Sequence, residues 1–347
     1  LMKLSIERPI TLFIDEFQEF FKVNKSVYSD MQRIWDMYHT KAHINLIVCG
    51  SIFSMMTKIF KDKKEPLYNR QTRFMSIKPF TPAVLKEIMA EYNPNYTSED
   101  LLALYSFTGG VAKYVQLLVD AGATTKTKML NHIIKADSVF LGEGKAILIE
   151  EFGKDYGVYF SILSAIARGK TLRSEIEQIV GREIGGYLTK LEKEYEVITK
   201  NQPIFEKSST KNVRYTIEDN FFTFWFRFIY KYNYMLEIEN YNAVKTIINR
   251  DYETFSGKML ERYFKRVLME SKAYTRIGSW WDRKGENEID IVAENELNDE
   301  AVFIEVKRKE DNFDAIALNE KVDVFTRATG KFKDYDVSQK GLSMTDM

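Results

Sequence analysis

Two groups of residues in this sequence have the types and spacing that chemistry on phosphates uses. The first lies near the start, where the apolar run Ile10-Thr11-Leu12-Phe13-Ile14 ends in the adjacent carboxylates Asp15 and Glu16. In open α/β sheets the ligand site lies at the carboxyl ends of the strands. A carboxylate there can hold a phosphate-bound Mg²⁺ through water, and its neighbour can orient the water that attacks a γ-phosphate. The same residues also suit a strand that runs into a solvated acidic loop. The second group lies beyond Asp251. Ile289-Asp290-Ile291-Val292 and Val302-Phe303-Ile304-Glu305-Val306-Lys307 read as two neighbouring strands that present Asp290 and Glu305 toward one face. Lys307 lies two residues on from Glu305 and therefore on the same side. Two carboxylates can hold Mg²⁺ or Mn²⁺ against a scissile phosphate, and a lysine beside them can position water. Glu261, on a helical pattern with Phe255, Met259, Leu260 and Phe264, is the remaining acid of this set.

The elements that must position the first group are a β-α-β unit. A second apolar run, Ile44-Asn45-Leu46-Ile47-Val48-Cys49, closes in Gly50-Ser51, and between the runs Met31, Ile34, Trp35 and Tyr38 recur at helical spacing. Continuous apolar runs of this kind predict buried parallel strands, and a right-handed crossover sets Ser51 beside Asp15 at one sheet edge. Asp15-Glu16-Phe17-Gln18 followed by a strand ending in Gly-Ser resembles the archaeal-ATPase family of AAA+-like, STAND-type P-loop ATPases. The resemblance implies ATP and Mg²⁺ as ligands, Asp15 as the Mg²⁺-side carboxylate of the Walker B strand, Glu16 as the catalytic glutamate and Ser51 as the sensor-1 residue. It extends to Pro66-Leu67-Tyr68-Asn69-Arg70, where Arg70 corresponds to an arginine that reaches a neighbouring γ-phosphate. It also covers Thr108-Gly109-Gly110-Val111-Ala112-Lys113-Tyr114, similar to the family's Gly-Gly-x-Pro-Arg-Tyr lid motif, with Ala112 in place of the proline and Lys113 in place of the arginine.

A phosphate site of this class also needs a Gly-rich turn before Lys-Ser/Thr, whose backbone N–H groups cradle the phosphates. The sequence contains no such loop: Gly169-Lys170-Thr171 follows a helical pattern, and Ser164 stands where the upstream glycine belongs. The loop and its strand belong ahead of Walker B, and only nine residues precede Ile10. The expectation is therefore a C-terminal portion of a P-loop ATPase that holds ATP poorly by itself.

Further along, Thr81 and Pro82 open a helix, Thr97 a second that ends at Gly109-Gly110, and Val111 a third. Together they predict a helical lid. Three helical patterns around Ile162, Ile176 and Leu188, followed by alternating runs at 197–200 and 213–217, predict a winged helix. Its wing is basic at Lys200, Lys207, Lys211 and Arg214, but its third helix mixes Lys190 and Lys193 with Glu192 and Glu194, so DNA binding and a protein-interaction role both stay open. The aromatic stretch from Asp219 to Tyr230 is too short to span a bilayer and carries Arg227, so it predicts a buried helix; it also resembles the segment that follows the winged helix in the same family. Asp290, Glu305 and Lys307, with Glu261, resemble the PD-(D/E)xK nuclease core. Trp280, Trp281, Arg283 and Lys284 just before it could stack on or hold a nucleic-acid strand.

The 347 residues suit two to three domains, with 45% hydrophobic and 29% charged residues. Fifty Lys and Arg against fifty Asp and Glu leave no global field for nucleic acid or anionic membrane. The single cysteine, Cys49, rules out a disulfide framework and reads as a core residue in a cytoplasmic protein. The expected fold is a multidomain α/β chain. It comprises a partial parallel-sheet P-loop ATPase core over 1–78, a helical lid over 79–150, a winged helix over 151–220, and a helical connector with an α/β nuclease-like domain over 221–347. The expected activity is ATP hydrolysis coupled to the nuclease-like domain. Two other readings stay open: a metal-dependent DNA nuclease regulated by the ATPase part, and a nucleic-acid or protein binding module without turnover. A protein partner or self-assembly fits each reading, and a membrane fits none.

Overall fold

A computed structural model describes residues 1–207 and 210–347. The chain divides into two compact units. The first comprises residues 1–77, 147–156 and 193–195. Its frame is β1 (Ile10–Ile14), α1 (Phe20–Val23), α2 (Val27–Tyr38), β2 (Ile44–Val48) and α3 (Phe53–Lys61). β1 and β2 pair in parallel from Ile10↔Ile44 to Ile14↔Val48. Phe17, Tyr28, Met56, Ile59, Phe60 and Leu67 form its core under one face of the pair. The Tyr28 hydroxyl donates to the Phe17 carbonyl at 3.0 Å, which satisfies a polar group inside that core.

The strands differ from the sequence expectation in one respect. Both alternate half-buried and exposed residues instead of being buried on two faces, and Phe13 stays 61% exposed. The apolar run predicted cover on both faces, whereas within this unit the two-stranded sheet is packed on one side only. Residues 74–77, a further apolar run, belong to no strand or helix.

The second unit comprises residues 78–146, 157–192 and 196–347. The helices α4 (Pro82–Tyr92), α5 (Ser98–Thr108) and α6 (Ala112–Asp120) start where the sequence placed them, and a further helix that the sequence did not signal, α7 (Lys126–Ile133), follows them. Thr81 accepts from Val84 N with Pro82 in the first turn, and Thr97 with Asp100 forms a reciprocal capping box. Every residue of α5 from Asp100 to Thr108 is buried, as expected of a helix apolar nearly all round. It packs against α4, α7, α12 (Asn220–Phe224) and α14 (Tyr241–Ser271). After α8 (Val139–Phe152) come three helices, α9 (Tyr156–Ala167), α10 (Arg173–Val180) and α11 (Gly185–Lys193), then an antiparallel pair, β3 (Ile198–Asn201) with β4 (Arg214–Ile217). The aromatic stretch is a buried helix, as its length and charge required: α12 continues as a π-helical turn (Trp225–Tyr230), followed by α13 (Asn233–Glu237) and the 31-residue α14.

The C-terminal sheet has the order β5 (Arg276–Trp281), β6 (Glu288–Asn295), β7 (Glu300–Val306) and β8 (Asp336–Leu342). β5, β6 and β7 are antiparallel neighbours, while β8 joins β7 in parallel after the crossover helix α15 (Ala315–Thr329). Leu318, Val322 and Phe325 of α15 pack on Trp280, Ile289, Val292 and Phe303. Trp280 and Trp281 are thus strand residues only 3% and 4% exposed, and Trp281 Nε1 donates to Asn212 Oδ1 at 2.9 Å. That burial removes them as stacking platforms for nucleic acid.

Gly110 shows why the double glycine after α5 is needed. Its φ is +78°, and a Cβ there would lie 2.4 Å from the Phe80 carbonyl oxygen, while Phe80 N donates to the Gly110 carbonyl at 2.7 Å. Gly110→Ala should lower stability by about 1–3 kcal/mol through backbone strain and this clash, measured by urea unfolding. A midpoint equal to that of the parent would show that the turn relaxes freely.

Candidate functional site

The carboxyl ends of β1 and β2 are tied together by the backbone. Cys49 N donates to the Ile14 carbonyl at 2.9 Å, and Phe17 N donates to the Cys49 carbonyl at 2.9 Å. Between these bonds the chain must turn sharply, and it does so by placing Glu16 in the left-handed region at φ 48°. Such a conformation in a non-glycine residue is strained and is concentrated at functional sites. The turn swings the Glu16 carboxylate across to β2, where Oε2 accepts from Ser51 Oγ at 2.8 Å and from Gln18 Nε2. Asp15 Oδ1 accepts from Cys49 Sγ at 2.7 Å and from Glu16 N at 2.9 Å.

These bonds also set the charge. The Cys49 thiol, then the Glu16 amide, hold the Asp15 carboxyl below its usual range, and Ser51, then Gln18, do the same for Glu16. Both acids are exposed and ionised, and Asp15 Oδ2 and Glu16 Oε1 accept no hydrogen bond among the described residues. Hard carboxylate oxygens free in this way are the donor set that Mg²⁺ takes, so the residues fit that ion. Cys49 is a correction: it is partly exposed and bonded to Asp15, not a core residue, and Asp15 pushes its thiol pKa up.

The sequence reading quoted Gln18 but gave it no role. Gln18 is 1% exposed, and a Cβ on Gly50 would fall 2.1 Å from its Oε1. Gly50 is therefore what admits the carboxamide that orients Glu16. The spacing Glu-x-Gln against Gly-Ser was a visible signal for it.

Arg70 and Lys113 are both engaged within their own units. Arg70 makes a two-pronged pair with Asp36, Nε–Oδ1 2.9 Å and Nη2–Oδ2 2.7 Å, and Nη1 donates to the carbonyls of Pro66 and Tyr68. Lys113 Nζ pairs with Glu143 at 2.6 Å. Neither side chain is brought to a phosphate-binding position by a contact in the structure; both are held in ion pairs.

The second group does converge. The β6–β7 register of Ile291↔Ile304 sets Asp290, one step further, opposite Glu305, so both side chains share a face. Asp290 Oδ2 accepts from Val306 N at 2.8 Å. Lys307 lies 2.7 Å from Glu305, and Lys321 on α15 binds both oxygens of Glu305 at 3.1 and 3.0 Å. Glu261 on α14 pairs with Lys258 at 2.9 Å, and Lys258 reaches Glu288 at 3.9 Å. Burial and then the nearby Asp290 charge push Glu261 up to about 7. Burial pushes Asp290 up as well. For Glu305 burial acts upward but is outweighed by the Lys307 and Lys321 ammonium groups, which hold it below its usual range.

Ammonium groups thus stand where the sequence pattern placed a divalent cation. Among the described residues no group of three or more His, Cys, Asp or Glu side chains is arranged to hold a metal ion. In this arrangement Lys258 pairs with Glu261, Lys307 and Lys321 pair with Glu305, and Asp290 is held by the Val306 amide. Lys258 could have been read from its position three residues before Glu261. Lys321 gave no signal, because α15 meets β7 only in the folded sheet.

Comparison with known proteins bears on both groups. Residues 1–118 match an ATPase domain predominantly from Archaea. Residues 225–336, which carry the second group, match a family described as archaeal and bacterial proteins of unknown function. The chain is 33% identical over 314 residues to the uncharacterized protein MJECL04 of Methanocaldococcus jannaschii, across 86% of this chain and 67% of that protein. The chain belongs to the archaeal ATPase family. The Walker-type ATPase PABY2304 of Pyrococcus abyssi is similar in structure at a TM-score of 0.47 and 19% identity, across 65% of this chain and 66% of that one. The chain thus spans about two thirds of each relative's length. Among the described residues no helix is long and apolar enough to cross a membrane.

The Glu261 proton gives a pH signature. Between the ordinary value of 4.5 and about 7 the folded chain binds a proton that the unfolded chain has released, so stability declines as pH rises through this window. Urea unfolding at about pH 5 and about pH 8 should show the higher stability at the lower pH from this residue, and Glu261→Gln should flatten that slope. An unchanged slope in the variant would assign the pH dependence to other groups.

Proposed function

We propose that this chain carries the water-activating side of an ATP-hydrolysing site. The observation that supports the reading is the placement of Asp15, Glu16 and Ser51 at the carboxyl ends of adjacent parallel strands, with Glu16 turned by a strained backbone onto Ser51. ATP with Mg²⁺ supplies the scissile γ-phosphate and neutralises its charge. Asp15 would hold the Mg²⁺, its Oδ1 being already engaged by Cys49 and the Glu16 amide. Glu16 orients the attacking water through Oε1, and Ser51 and Gln18 fix its carboxylate by holding the other oxygen. Cys49 fixes Asp15 in the same way.

The phosphate cradle comes from outside these residues. The free edge of β2, from Asn45 to Ser51, faces residues 70–77 across an open groove of about 800 Å³. A third parallel strand laid in that groove would deliver its carboxyl end, and a Gly-rich loop on it, beside Ser51. In the same reading α4, α5 and α6 form the helical lid that carries Lys113. Arg70 serves a neighbouring site only if it leaves Asp36. The three helices and the β3–β4 pair act as a winged helix, and assembly into an oligomer of the AAA+ or STAND kind accompanies nucleotide binding.

The test uses the protein that joins this chain to a Gly-rich loop ending in Lys-Ser/Thr. Glu16→Gln should keep ATP affinity by calorimetry and lower hydrolysis about 10²-fold or more, the usual contribution of a positioned general base. Turnover equal to the parent would remove Glu16 from this role. In the same protein Arg70→Ala separates two possibilities: lost hydrolysis at unchanged ATP affinity supports a transition-state contact, and unchanged hydrolysis leaves Arg70 as the partner of Asp36 alone.

A second reading rests on the shared face of Asp290 and Glu305, with Lys307 beside them and Glu261 on α14. It assigns the C-terminal part to cutting or binding DNA. Labelled DNA titrated with Mn²⁺ decides between these: cleavage abolished by Asp290→Asn supports a nuclease, and binding without cleavage supports a module that does not turn over.

A further inference from the structure

Arg227 is a half-buried cation that makes no ion pair among the described residues, although the charge of Asp251 acts on it from across the cleft that both line. It lies in the π-helical turn Trp225–Tyr230, a rare conformation that is frequent at functional sites. The turn buries Trp225, Phe226, Phe228 and Ile229 and leaves Arg227 half-buried, its guanidinium 5.5 Å from the Phe228 ring centre and 5.9 Å from that of Phe255. A guanidinium has five N–H donors. The hydrogen bond this one makes is a long donation to the Ala167 carbonyl at 3.4 Å. No carboxylate lies within ion-pair distance of it among the described residues. Burial accordingly pulls its pKa down from the ordinary arginine range. An unpaired charge in such a place is costly unless something else pairs with it.

The surroundings add positive charge. Arg227 lines a cleft of about 120 Å³ with Arg168, Phe228, Lys231 and Asp251. Arg168 follows the end of α9 and Lys231 follows the π turn; both are exposed, and neither has a carboxylate within ion-pair distance among the described residues. Asp251 is the single acid in the lining, and Arg250 already holds both its oxygens, at 2.7 and 3.0 Å. Three cations therefore meet one carboxylate that a fourth cation has neutralised. The cleft has room for a few waters or one tetrahedral oxyanion and is too small for a nucleobase.

We propose that Arg168, Arg227 and Lys231 bind a phosphate group in this cleft. Arginine donors match phosphate oxygens two at a time, and a tetrahedral phosphate offers its anionic oxygens to donors on several elements at once. The phosphate is either free inorganic phosphate or the monoanionic diester of a nucleic-acid backbone, both of which present at least two non-bridging oxygens.

Calorimetry on the whole chain with inorganic phosphate tests the site. The expected result is saturable binding that weakens about tenfold in Arg168→Ala and in Lys231→Ala, since each removes a charge-assisted hydrogen bond. Both residues are exposed, so their replacement leaves the core intact, and Lys333→Ala, an exposed lysine outside the cleft, should bind as the parent does. Absence of saturable binding, or equal weakening in Lys333→Ala, overturns the proposal. Competition by a single-stranded oligonucleotide lacking a terminal phosphate identifies the source. Displacement of phosphate assigns the site to a nucleic-acid backbone, and failure to displace assigns it to free phosphate; the cleft is a phosphate site in both cases.

Discussion

The pairing of β1 with β2 is the constraint from which the first site follows. In a parallel pair the two strands end on the same side of the sheet, so residues 34 apart in sequence, Asp15 and Cys49, come into hydrogen-bond contact. The two backbone bonds that continue the ladder past Ile14 and Val48 leave no room for a relaxed connection, and Glu16 absorbs the turn in the left-handed region. A one-residue slip of register would send Ser51 to the other face and leave Glu16 without a partner. The strain at Glu16 is held in place by Phe17 immediately after it, which is 1% exposed and stacks on Phe60. Core packing, backbone strain and the aim of the carboxylate are thus one arrangement.

A comparable logic governs the second unit, with a different outcome. The antiparallel register brings Asp290 and Glu305 face to face, and two like charges in a half-buried setting repel. The chain answers with lysines from three separate elements: Lys258 on α14, Lys307 after β7 and Lys321 on α15. With Glu261 and Glu288 the cluster counts four acids and three bases, and burial, then the Asp290 charge, pushes Glu261 up to about 7 against the pull of Lys258. The network ties the 31-residue α14 to the sheet, so its charge state couples the cluster to stability.

Much of this was legible in the sequence because it is local. The capping of α4 and α5, the stop at Gly109-Gly110, the buried aromatic helix and the strands β6 and β7 each follow from patterns a few residues long. The carboxylates at the end of β1 were legible for the same reason. What was not legible depends on partners distant in sequence. β5 was missed because Gly278 and a bulge between Gly278 and Trp280 interrupt its alternation, so its tryptophans stayed open between a stacking role and the edge of a core. Cys49 read as core because its run is apolar, while its actual neighbour is an acid on another strand.

The same distinction separates the two carboxylate groups as functional signals. Among the described residues Asp15 and Glu16 each keep one oxygen free while the other is fixed by uncharged donors, Cys49 with the Glu16 amide for one and Ser51 with Gln18 for the other. Neutral donors orient a carboxylate without cancelling its charge, which is the requirement for attracting a cation or polarising a water. Glu305, by contrast, is met by two ammonium groups and Glu261 by one, so their charge is spent inside the fold. Spacing alone gives both groups the same standing. The partners of each oxygen distinguish them: the charge of the first group is met by neutral donors, and that of Glu305 and Glu261 by lysines.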